Sequence, residues 1–159
     1  MKGPFPRLIG VLWLAGAPLL AEAGTATAQL SVTATVQTNC SVSGGTLDFG
    51  NYVTGQPDDL DAIGTITLVN CANLTVTVEL DGGASGNVQN RRMANGNAQL
   101  AYQLYRDPAR TQVWGQGNQA FQGQVLAPNT TLQIFGRIPG GQNVPSGTYS
   151  DTVNVTLNF

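Results

Sequence analysis

From Gln29 to the last residue polar and apolar side chains alternate with a period of two almost everywhere. Leu30, Val32, Ala34 and Val36 share one face, with Gln29, Ser31, Thr33, Thr35 and Gln37 on the other. Leu47 and Phe49 flank Asp48 until Gly50-Asn51 ends the run. Residues 63–69 are apolar and β-branched and lead into Cys71. Leu74, Val76, Val78 and Leu80 then alternate with Thr75, Thr77 and Glu79. Residues 100–105, 121–126 and 131–138 repeat the pattern, and Val153, Val155, Leu157 and Phe159 close it. A two-residue period puts alternate side chains on opposite faces of a strand. No window shows a helical period. Turn signals at Asp81-Gly82-Gly83, Asp107-Pro108, Pro128-Asn129, Pro139-Gly140 and Pro145-Ser146-Gly147 cut the runs to strand length. Residues 84–98 are Gly- and Asn-rich and read as a long loop. The expectation is one all-β sandwich of about seven or eight strands.

Residues 1–28 read as an export signal instead of part of this fold. Lys2 and Arg7 give a positive start, and residues 8–20 form an apolar stretch too short to span a bilayer easily. Two small-residue cleavage motifs follow, Ala21-Glu22-Ala23 and Ala26-Thr27-Ala28. Cleavage after Ala28 is the preferred reading, because the strand pattern begins at Gln29. Export bears on Cys40 and Cys71, the only cysteines. An exported pair in an oxidising compartment is expected to form one disulfide, worth about 3–4 kcal/mol on the chain-entropy view.

Composition removes several classes of function. There is no His, so Ser–His or Cys–His nucleophiles and His metal ligands are excluded. Charged residues make up 10%, net charge is −2, and the only Lys is Lys2. No basic surface exists to neutralise phosphates, and a nucleic-acid partner is not expected. Glu79 and Asp81 have a spacing that glycosidase carboxylates could use, but a solvated strand face followed by a turn aspartate is the simpler reading. Asp58, Asp59 and Asp61 lack the ordered spacing of a calcium loop. Arg91-Arg92 reads as a solvated doublet, and Tyr102, Tyr105 and Trp114 as packing residues with a sugar site as the alternative. No catalysis and no cofactor are expected.

Several segments together resemble the spore coat protein U domain family. They are residues 31–36, Cys40-Ser41-Val42, Leu47-Asp48-Phe49-Gly50-Asn51-Tyr52, and residues 64–68 leading to Cys71. Arg92-Met93-Ala94-Asn95-Gly96, residues 100–105, residues 110–115, Phe135-Gly136-Arg137-Ile138-Pro139 and residues 145–153 continue the match in order. The family includes subunits of archaic, Csu-type chaperone–usher pili. The resemblance implies an incomplete immunoglobulin-like sandwich over residues 39–159, completed by a donor strand from a neighbouring subunit. Residues 29–38 would be that donor strand, with Leu30, Val32, Ala34 and Val36 entering the neighbour's groove. Val153, Val155, Leu157 and Phe159 would form the groove wall and chaperone edge. The implied partners are neighbouring pilin subunits, a periplasmic chaperone and an outer-membrane usher, and the implied location is a cell-surface fibre for adhesion and biofilm. A secreted coat protein and a glycan-binding adhesin module are the alternatives. Ser146 and Asn158 stand where type 1 pilins carry a chaperone-recognition glycine and a penultimate tyrosine, so that motif is absent.

Overall fold

A computed structural model describes residues 25–159. The expected signal segment therefore lies outside the described residues up to position 24. The chain divides into two units, Met1–Thr35 and Val36–Phe159. In the first, residues 25–35 carry no helix or strand and every residue is exposed.

The second unit is built of strands because its turns interrupt the alternating runs at short intervals. β1 (Ser41–Ser43), β2 (Leu60–Val69), β8 (Asn129–Ile138) and β6 (Gln103–Tyr105) form one antiparallel sheet in the order β1-β2-β8-β6. β7 (Phe121–Val125), β3 (Leu74–Leu80) and β9 (Val155–Asn158) form a second, in the order β7-β3-β9. β4 (Arg92–Asn95) and β5 (Ala98–Ala101) make a hairpin. β2 and β8 pair along their whole length, from Leu60 with Ile138 to Val69 with Asn129.

The apolar face of each alternating run is buried. Ile66, Leu68, Leu104, Ile134 and Ile138 of the first sheet share one core with Val76, Val78, Leu80 and Val125 of the second. Trp114 is 1% exposed and donates its indole N–H to the Val78 carbonyl at 2.9 Å, so its one polar atom is satisfied. The expected disulfide is present: Cys40, just before β1, bonds Cys71, just after β2.

Four expectations are corrected. Residues 84–98 are not one loop but include a 3-10 turn (Gly83–Ser85), β4 and the start of β5, with Gly96 at positive φ in the hairpin turn. The run at 100–105 is two strands, because Tyr102 leaves the ladder and its N–H bonds the Arg91 carbonyl. Residues 47–49 alternate but join no ladder. Of the last run, only Val155–Asn158 is paired, and Ser150 keeps a single bridge to Ala94.

Candidate functional site: a groove where a strand is missing

The two runs that lie largely outside the ladders face each other. Residues 44–54 form one wall of an open groove and residues 144–155 the other. One cavity of about 310 Å³ has Leu47, Ile66, Leu80, Leu104, Val153 and Val155 in its lining. A second, of about 390 Å³, has Tyr52, Leu100, Ile138 and Val144. Leu47, Phe49, Met93 and Tyr149 line both, so the cavities meet at these side chains.

Glycines set the first wall. A Cβ on Gly64 would lie 2.9 Å from the Leu47 Cβ, and one on Gly136 2.8 Å from the Phe49 ring. Bare backbone on β2 and β8 thus lets residues 47–49 lie directly across the first sheet. In this position they cannot pair with it.

The second wall runs into an edge strand, β9. β9 uses one side of its backbone to pair with β3, Val155 opposite Leu80 and Leu157 opposite Val78. The Asn154 carbonyl accepts the Asp81 N–H at 3.1 Å, so residues 154, 156 and 158 direct their backbone groups to β3. Those of Val153, Val155 and Leu157 point the other way. Among the described residues they have no ladder partner.

Polar groups fix this wall where it leaves the ladder. Asp151 Oδ1 accepts the Ala84 and Thr152 N–H groups, each at 2.8 Å, and Oδ2 accepts the Tyr102 hydroxyl at 2.6 Å. Burial, then the Asp151 carboxylate, pushes the Tyr102 hydroxyl's pKa well above its ordinary value. Asp81 accepts from the Gly83 N–H, the Asn154 N–H and the Asn154 side-chain amide. Burial works against that carboxylate, but the Asn154 and Gly83 donors outweigh it and hold its pKa below the usual value.

Arg91 was not readable in the sequence. It is fully buried, whereas a solvated doublet was expected. Its guanidinium donates to the carbonyls of Leu80, Asp81 and Trp114 and to the Gln103 side chain, joining β3 to the strand opposite. Burial lowers its pKa. No spacing announced this. The physical signal is that the end of β3 presents carbonyls with no ladder partner, and one planar cation can satisfy several of them.

The other candidates have structural roles. Asp59 and Asp61 pair with Arg137, and Asp61 also with Arg110. The Arg137 hydrogen bond is the main reason that the Asp61 pKa is lowered. Glu79 accepts the Gly117 N–H, and Trp114 packs in the core. Among the described residues no three His, Cys, Asp or Glu side chains come together as metal ligands. Of the expected groove residues, Val153 and Val155 line the first cavity, Leu157 packs on the core beside it, and Phe159 is exposed. Leu30, Val32, Ala34 and Val36 are all exposed, Leu30 at 88% and Val36 at 94%.

Two facing sheets with one interior strand position vacant define an immunoglobulin-like sandwich of the kind found in pilus subunits. Three solved structures share this architecture. They are the chaperone–tip adhesion subunit pre-assembly complex of the archaic Csu pili of Acinetobacter baumannii (TM-score 0.54, 22% identity, 76% of this chain and 39% of that one), a chaperone–usher pilus (0.51, 19%, 90% and 99%), and the P pilus rod subunit PapA (0.50, 22%, 75% and 97%). At these identities the likeness is one of fold. The sequence carries the closer relationship: residues 26–156 match the spore coat protein U domain, and the chain belongs to that family. Protein U of Myxococcus xanthus is 41% identical over 87% of this chain and 88% of its own length.

Proposed function

We propose that the chain is a structural subunit of a secreted surface fibre assembled by donor-strand complementation. Residues 29–37 of one copy fill the groove of the next. The observation that carries this reading is the groove itself, a trough lined in part by Leu47, Phe49, Met93 and Leu100, whose two walls have no strand between them. Left open, such a trough invites aggregation. The chain also carries a candidate filler, an exposed segment with Leu30, Val32, Ala34 and Val36 on one face. Four such side chains contribute a gross burial term of roughly 5–8 kcal/mol. Backbone hydrogen bonds to Val153, Val155 and Leu157 fix the register. A head-to-tail contact of this type does not close, so it gives a filament.

In this reading a periplasmic chaperone covers the groove after export, an outer-membrane usher exchanges it for the next subunit, and the fibre serves adhesion and biofilm. Val32→Arg tests it, because it would put a charge into a buried trough. Electron microscopy of producing cells should show fibres with the native chain and none with the variant, while the variant still co-purifies with its chaperone. Fibres of normal length from the variant would refute the proposal.

The family's name and the similarity to Protein U favour a second reading, in which the same strand exchange builds a coat layer. Immunogold labelling separates the two: label along thin filaments supports the pilus, and a continuous layer supports the coat.

A further inference from the structure

The alternation that marks the proposed donor segment does not begin at Gln29. Thr25, Thr27 and Gln29 are polar, and Ala26 and Ala28 continue the apolar face of Leu30, Val32, Ala34 and Val36. The pattern holds from residue 25 to residue 37, about 43 Å as a strand. A signal-peptide tail needs small residues but no alternation.

The disulfide of the donating body limits how much of residues 29–38 can enter a neighbour's groove. Cys40 is bonded to Cys71 in the donating body, so residues 38 and 39 are left to bridge two bodies. Residues 29–37 alone cover about 30 Å. Adding residues 25–28 brings the segment to about 43 Å. Independently, the family match starts at residue 26, and cleavage after Ala28 would remove its first residues.

We infer that the exported chain begins at Gly24 and that residues 25–28 are part of the assembly strand. A leader peptidase would recognise Ala21 and Ala23 and hydrolyse the bond between them and the body. Water adds across the Ala23–Gly24 peptide bond, leaving a carboxylate on Ala23 and a free amino group on Gly24. The Ala26-Thr27-Ala28 motif then belongs to the strand and is not cut. The role given to residues 25–28 rests on the donor-strand reading. The cleavage position does not.

The intact mass of the protein purified from the cell surface decides the first part. A chain starting at Gly24 is expected, and one starting at Gln29 overturns the inference. The second part is read from how fast assembled fibres fall apart in warm detergent. Deleting residues 25–28 should speed release by about tenfold, the equivalent of about 1.4 kcal/mol. Ala28→Arg, which keeps the length, should do the same. Unchanged release from both variants overturns the longer strand. Val32→Arg is the control: if it still assembles, the donor-strand reading itself has failed, whereas fibre loss there with unchanged release from the other two rejects only residues 25–28.

Discussion

Tyr102 donates its hydroxyl to Asp151 across 2.6 Å at the inner wall of the groove, tying the break between β5 and β6 to the segment that leads into β9. Asp151 keeps two backbone donors without it, so Tyr102→Phe should lower stability by about 1–3 kcal/mol without abolishing folding. The raised Tyr102 pKa adds a sign. The folded chain holds this proton more tightly than the unfolded chain, so the contribution is complete below pH ~10 and is lost as pH rises beyond it. Urea midpoints at pH 8 and pH 11 should converge for the variant relative to the native chain.

Arg91→Met should cost about 3–5 kcal/mol. Methionine fills the space but leaves the carbonyls of Leu80 and Trp114 without their donor. Arg91→Lys should recover only part of the loss, since an ammonium cannot reproduce the planar set of bonds. Thermal unfolding of the three proteins gives the order native, Lys, Met.

The strands were legible in the sequence wherever one face is buried and the backbone is paired. β3 was foreseen at its exact bounds, because Val76, Val78 and Leu80 are buried while their neighbours are not. The same period at residues 47–49 and 148–154 produced runs without ladders. Alternation reports that a face is apolar, not that a partner lies beside it. Here the partner position is vacant, and the misread strands are the groove walls. Arg91 was illegible for a different reason: its partners are backbone carbonyls set by tertiary packing, which no residue pattern encodes.

Asp81 should contribute to acid sensitivity. Its pKa is lower in the folded chain, so its stabilisation is present above the unfolded value of about 3.9 and fades as pH falls through the folded one. Asp81→Asn removes this proton-linked term. Melting temperatures measured at pH 7 and pH 3 should therefore differ less for the variant than for the native chain.

Replacing Cys40 and Cys71 together by Ser should cost about 2–5 kcal/mol, since the bond closes a separation of 31 residues at the base of β1 and β2. In the proposed fibre, this bond also anchors the root of the donor segment. Native gels and urea melts under oxidising conditions should show the loss, and a reductant should weaken the native chain but not the double variant.

The last prediction concerns the vacant strand position itself. An extra copy of residues 25–38 placed after Phe159 through a flexible linker should enter the chain's own groove. The linker must be long enough to bring the segment back along residues 144–155. The added strand would bond Val153, Val155 and Leu157, whose backbone groups point away from β3, and its apolar face would cover Leu47, Phe49 and Met93. Linking makes the contact intramolecular, and an effective concentration in the millimolar range favours it over a second chain. The product should be monomeric by light scattering, soluble without a chaperone, and unable to enter fibres as an acceptor. Val153→Arg in the linked chain should undo this, because burying an unpaired guanidinium costs several kcal/mol. A linked chain that still polymerises as readily as the native one would show that the groove is not where the segment binds.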